Sequence, residues 1–123
     1  MQIHGIRKDL LMLLLTVGIE RHPFEYAGLL RETDGVIDEL TLLPGTTSNH
    51  RSASLFLDMM PLDLHVAGSV HSHPTGVLSP SDADLSFFPR TGGYHVIVGF
   101  PYDDQNWACF RANGTRISLE VVG

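Results

Sequence analysis

The chain has 123 residues, 43% of them apolar and 18% charged, which is the composition of a globular protein and not of a disordered one. Eight basic against fourteen acidic side chains give a formal charge of −6, so the basic stripe that phosphate-backbone binding needs is missing and no nucleic-acid partner is expected. Cys109 is the only cysteine, which excludes an intramolecular disulfide and a cysteine-based zinc knuckle and reads as a buried structural thiol.

The length suits one domain, and no repeat, low-complexity tract or charge block divides it, so residues 1–123 read as a single unit. Gly5 to Glu20 reads as a helix, with Ile6, Leu10, Leu13, Leu14 and Val17 on one stripe. Leu11, Met12, Leu15 and Ile19 fall on the other side by the same phase. A helix apolar all round is usually covered twice, so a homodimer through this first helix is expected. The run Leu10 to Ile19 follows Arg7-Lys8 and faintly resembles a signal peptide. It is far shorter than the ~20 apolar residues that span a bilayer. The helix is the better reading, with no membrane partner and a cytoplasmic location expected.

His22-Pro23 stops the helix. Phe24 to Arg31 reads as a strand, Asp34-Gly35 as a hairpin turn, and Val36 to Leu43 as the returning strand. Thr46 to Ser52 is a polar loop, Ala53 to Leu57 a short strand, and Asp58 to Asp63 a helical turn. Leu64 to Val70 is apolar enough for a central strand, and His71 to Ser79 reads as the loop after it. A helix starts at Ser81 and runs to about Phe88, with Asp82 and Asp84 in its first turn. Tyr94 to Phe100 is a buried strand, and Asn106 to Arg111 with Arg116 to Val122 form a hairpin across Asn113-Gly114. The order predicts a mixed α/β (α+β) fold, a central mixed sheet with helices packed on it.

The chemistry-bearing stretch is Gly68-Ser69-Val70-His71-Ser72-His73-Pro74, then Leu78-Ser79-Pro80-Ser81-Asp82-Ala83-Asp84. Two histidines at i and i+2 on extended chain point to one side and can reach one metal ion. Pro74 keeps His73 out of the helical region. If Ser81 is the N-cap, Asp84 is N3, and its carboxylate can turn back toward the preceding loop. Two imidazoles and one carboxylate leave a fourth position for water, the arrangement of a catalytic zinc. Taken singly, His-x-His occurs by chance and Ser-x-x-Asp is most often only a capping box. The weight lies in their joint spacing and in the proline.

That joint pattern resembles the signature of the JAMM (MPN-plus) metalloproteases, closest to the compact archaeal members. The family's upstream glutamate is matched by Phe24-Glu25-Tyr26-Ala27-Gly28-Leu29-Leu30, and the resemblance spans nearly the whole chain. It implies the cytidine-deaminase-like JAMM/MPN fold, a curved mixed sheet flanked by helices. It also implies that His71, His73 and Asp84 hold one zinc ion per chain. Glu25 would then take the proton of the attacking water and pass it to the leaving amine. Ser81 would donate to the oxyanion. Glu20 and Glu32 rival Glu25 without its flank, and Asp82 rivals Asp84 from another side of the helix. Ser72, Ser79 and His50 are candidates for lining the substrate cleft; His65 and His95 read as packed or paired within strands.

The implied activity is a zinc-dependent isopeptidase. It would cut between the C-terminal glycine of a ubiquitin-like modifier and a lysine of a target protein, and its partners would be such modifiers and their lysine conjugates. Family members that read modifier chains carry insertions flanking the motif; here the links Asp58 to Leu64 and Pro89 to Gly93 are short, so the resemblance implies a minimal enzyme without a platform for a second modifier. An extended Gly-Gly tail could pair with a sheet edge and pass a narrow channel. One alternative is a peptidase trimming an amino acid such as cysteine from a sulfur-carrier protein; another is a non-catalytic MPN scaffold subunit. A zinc deaminase of similar layer architecture needs two or three cysteines and is excluded.

Overall fold

The structure is a computed structural model that describes residues 2–43 and 66–123. The expected loop at Thr46 to Ser52, the elements between Ala53 and Asp63, and residues His50 and His65 lie outside the described residues. A short strand, β1 (Gly5–Arg7), runs directly into helix α1 (Lys8–Arg21), and β2 (Ala27–Thr33) and β3 (Val36–Leu42) follow. Next come β4 (Val66–His73) and helix α2 (Asp82–Phe87), which ends in a 3-10 turn at Phe88–Arg90. The chain finishes with β5 (Tyr94–Gly99), β6 (Trp107–Phe110), β7 (Arg116–Ile117) and β8 (Glu120–Val122).

These strands form one sheet in the order β7-β6-β5-β4-β2-β3-β1-β8. β4 and β5 run parallel, as do β1 and both its neighbours, while the remaining pairs are antiparallel. β7 and β8 stand at opposite ends of that order, yet only Ser118 and Leu119 separate them in sequence. A chain advances at most about 3.6 Å per residue, so Ile117 and Glu120 lie within roughly 11 Å. The two edges of the sheet therefore approach each other, and the sheet is curled.

The expected hairpin turn at Asp34-Gly35 forms, with φ of 52° and 83°, the positive pair that a two-residue turn between twisted strands requires. Three other expectations are corrected. The first helix begins at Lys8, because Gly5 to Arg7 pair in parallel with Glu120 to Val122 and, at Gly5 and Ile6, with β3. The expected strand Arg116 to Val122 is two strands, because its second part leaves β6 to meet β1. The phase of α1 also differs: Leu10, Leu11, Leu14, Leu15, Val17 and Gly18 are buried, whereas Leu13 is 46% exposed. Leu11 and Leu15 are thus covered by the chain's own core and need no second copy; of the expected outer face, Met12 and Ile19 remain exposed.

The sheet has two buried faces. On one, α1 packs with Leu30, Ile37, Val70, Val96, Val98 and Cys109. The Cys109 thiol is buried there and pushed up to about 11 by that burial, as expected of a structural thiol. On the other face, Phe87 meets Leu29 and Leu43, and Phe88 meets Ile97, Ala108 and Phe110. No helix among the described residues is long and apolar enough to cross a membrane.

Candidate metal centre

The strand expected to stop at Val70 runs on through both histidines, because β5 pairs with it as far as His73 opposite Gly99. Side chains alternate along a strand, so Ser69, His71 and His73 share one face, the side on which α2 packs. The expected loop starts after His73, and a turn through Gly76 (φ +82°) brings the Val77 carbonyl to 2.7 Å from His73 Nδ1.

Ser81 is the N-cap of α2, as expected. Its hydroxyl accepts the Asp84 N–H at 3.1 Å, and Asp84 Oδ2 accepts the Ser81 N–H at 2.9 Å, a complete capping box. This holds the carboxylate turned back toward β4. Oδ2 lies 2.9 Å from His73 Nε2, and Oδ1 lies 3.6 Å from His71 Nδ1. Asp84 and His71 are buried at 2% and 3% exposure, whereas the rival Asp82 is exposed. The His71 ring is bracketed by Phe87 at 5.1 Å, edge on, and Phe88 at 5.7 Å.

Burial alone would raise the Asp84 carboxyl, but the His73 hydrogen bond, the His71 ring and the Ser81 N–H outweigh it and hold the group well below the carboxylate range. Burial would likewise lower His73, yet Asp84, the Val77 carbonyl and the charge of Glu25 win and raise it. His73 and Asp84 are therefore a tightly hydrogen-bonded pair, each shifted toward its charged form by the other. Among the described residues no donor group is spread around a ready-made cation cage. The donors are drawn into contact instead, and a divalent ion would take the place of the proton that His73 and Asp84 share. Two imidazole nitrogens and one carboxylate meeting at its two oxygens are an N/O donor set suited to zinc.

Glu25 precedes β2 rather than lying within the expected strand, which begins at Ala27. Ala27 is paired with His71, and the pairing continues beyond the strand end: Ser72 N donates to Tyr26 O at 3.0 Å, and Tyr26 N to Ser72 Oγ at 2.7 Å. Continuing the same antiparallel count sets Glu25 level with His73. Glu25 is half-buried, and its charge is felt at His73. Ser72, expected to line the cleft from a loop, is instead buried in β4, where its hydroxyl pins the Tyr26 backbone beside Glu25. Ser79 is exposed in a bend. Of the rival glutamates, Glu20 is exposed near the end of α1, and Glu32 accepts the Gly35 N–H in the hairpin.

Sequence reasoning passed over Ser69 and the Val77 carbonyl, and it read His95 only as packed or paired. Ser69 Oγ lies 3.0 Å from His71 Nε2 and 2.8 Å from His95 Nδ1. His95 is stacked flat on Phe88 at 4.1 Å, and burial pulls its pKa down to about 4, so the ring is neutral. The signal was present in the sequence: Ser69 is two residues before His71, on the same strand face.

The model for prokaryotic homologs of the JAB domain matches residues 9–112. This chain belongs to that family. A protein of Haloferax volcanii described as a probable metalloprotease is 41% identical over 131 residues, covering 98% of this chain and 81% of that protein. A JAB1/MPN domain protein of Archaeoglobus fulgidus superposes with a TM-score of 0.80 at 38% identity, covering 97% of this chain and 99% of its own. A structure described as JAMM, a metalloprotease-like zinc site in the proteasome and signalosome, superposes with a TM-score of 0.77 at 35% identity, covering 99% and 100%. The expected JAMM/MPN fold and metalloprotease class stand.

Proposed function

We propose that this chain is a zinc-dependent isopeptidase that hydrolyses the bond between the C-terminal glycine of a ubiquitin-like modifier and a lysine amine. One observation carries the reading. A single buried carboxylate, held by a helix cap, presents its two oxygens to both strand histidines, and the charge of Glu25 acts on the second. His71 Nδ1, His73 Nε2 and the Asp84 carboxylate would hold one zinc ion. When bound, zinc supplies the Lewis acidity that makes water a nucleophile near neutral pH and polarises a scissile carbonyl.

The chain's own residues do the rest. Glu25 accepts a proton from the attacking water and delivers it to the departing amine, so that amide and water become carboxylate and amine. Ser81 accepts the Asp84 N–H through its oxygen and keeps its own O–H to donate where negative charge develops. Tyr26 and Ser72 fix the backbone that carries Glu25 against the strand that carries the histidines.

The test is incubation with a lysine conjugate of the host's ubiquitin-like modifier and, separately, with a sulfur-carrier protein bearing a C-terminal cysteine, each with and without chelator. Mass spectrometry should find the lysine conjugate cleaved after glycine, and no cleavage once the metal is stripped. Cleavage of the carrier adduct alone would replace the isopeptidase with the trimming peptidase. Inertness of zinc-loaded protein toward both would leave the scaffold role.

A further inference from the structure

β4 and β5 pair in parallel with Ser69 directly opposite His95, which places a hydroxyl between two imidazoles in a fully buried layer. The proton on each link is decided from one end. His95 Nε2 lies 2.8 Å from the Gly92 carbonyl, which can only accept, so this nitrogen donates. Gly92 can present that carbonyl because its φ of +123° suits glycine, and a Cβ there would lie 2.5 Å from the Ala67 carbonyl oxygen. A neutral imidazole that donates from Nε2 accepts at Nδ1, so the Ser69 hydroxyl donates to His95 at 2.8 Å. Its oxygen then accepts from His71 Nε2 at 3.0 Å. With its proton on Nε2, His71 turns the lone pair of Nδ1 toward Asp84 Oδ1. His73 has the opposite arrangement: its Nδ1–H is taken by the Val77 carbonyl, and Nε2 faces Asp84.

We propose that Ser69 and His95 are positioning residues, a relay from the Gly92 carbonyl that fixes the orientation and tautomer of His71 so that it offers Nδ1 to the metal, while His73 offers Nε2. This rests on the zinc reading of the site. Outer partners of this kind orient a ligand ring and raise its basicity, and losing one typically weakens metal binding about 10- to 100-fold.

The test measures zinc affinity by competition with a chromogenic chelator for wild type, Ser69→Ala, Ser69→Thr and His71→Ala, with histidine-ring nitrogen NMR of the zinc-loaded wild type alongside. Ser69→Ala should weaken zinc by about 10- to 100-fold. Ser69→Thr should restore most of that loss, because it keeps the hydroxyl. A role in packing alone predicts the reverse, since threonine adds a methyl to a fully buried position while alanine does not. The ring spectra should show His71 protonated on Nε2 with the metal on Nδ1, and His73 the other way round. Wild-type affinity in a folded Ser69→Ala, or threonine weaker than alanine, overturns the relay. So do ring spectra with the metal on His71 Nε2, and this readout decides even if Ser69→Ala does not fold. Zinc retained by His71→Ala would instead remove the metal reading beneath it.

Discussion

The two helices lie on opposite faces of one sheet and are held by different physics. α1 has no side-chain hydrogen bond at its N-cap and is fixed by burying Leu10, Leu11, Leu14, Leu15 and Val17. α2 has six residues, too short to be stable alone, and buries only Asp84 and Phe87. Besides the packing of Phe87 and Phe88, it is fixed by the Ser81–Asp84 capping box and by the contact of Asp84 with His73. Apolar burial is non-directional and tolerates swaps that conserve volume. Hydrogen-bonded contacts are directional, and a buried polar group that loses its partner costs more than the bond was worth. The contacts that hold α2 in place are thus the ones that shape the site, whereas α1 reaches it indirectly, through the Leu14 carbonyl that accepts the hydroxyl of Tyr26, the neighbour of Glu25 in sequence.

Asp84→Ala breaks this comparison hardest, because it removes a donor of the proposed zinc site and half of the capping box together. Zinc should be lost and turnover should fall to background, and the Leu85 amide, which bonds to Ser81 O in the cap, should exchange faster with solvent. Retained zinc would detach Asp84 from the site. Glu25→Gln comes next. It should keep zinc and fold, yet lose about 10²- to 10⁴-fold in kcat, because an amide cannot take the water's proton. A kcat near wild type would assign the proton to another group.

On the opposite face, Leu14 is fully buried. Leu14→Ala should cost about 2–5 kcal/mol in denaturant unfolding and leave the zinc content of the folded protein unchanged. If the folded variant binds less zinc, the two faces are coupled and the contrast drawn above fails. Ser81→Ala should be milder, with roughly a 10²-fold loss of kcat if its hydroxyl is the oxyanion donor proposed above. It should also lose about 1 kcal/mol of stability through the missing cap. Loss of stability without loss of rate would leave Ser81 as a cap only.

The same contrast explains what the sequence could reveal. His71, His73, Ser81 and Asp84 were legible because strand period, a proline and a capping box are local rules. Their meeting across the β4–α2 connection follows from a short loop. The three-residue β1 was not legible, since its partners are Val36 and Ile37 on one side and Glu120 to Val122 on the other, far along the chain. The break between β7 and β8 was hidden for the same reason: it exists because β8 finds β1. The face of α1 was misread because Leu10, Leu11, Leu13, Leu14 and Leu15 leave almost no polar residue to set the phase. Ser69 and His95 needed the β4–β5 register, which no single segment encodes.

That ambiguity of phase yields the smallest and sharpest prediction. Leu13 and Leu14 are neighbours about 100° apart around the helix, one 46% exposed and the other fully buried. Leu13→Lys places a charge in water and keeps helix propensity, so it should shift stability by less than about 0.5 kcal/mol, against the several expected for Leu14→Ala. Met12 and Ile19 are exposed on the same helix, so Leu13 also tests whether a second copy covers this side in solution. If the wild type is a single chain by light scattering, Leu13→Lys should leave both mass and stability unchanged. If it is a dimer that Leu13→Lys splits with a measurable loss of stability, the outer side of α1 is an interface, and the apolar half of the comparison extends beyond one chain.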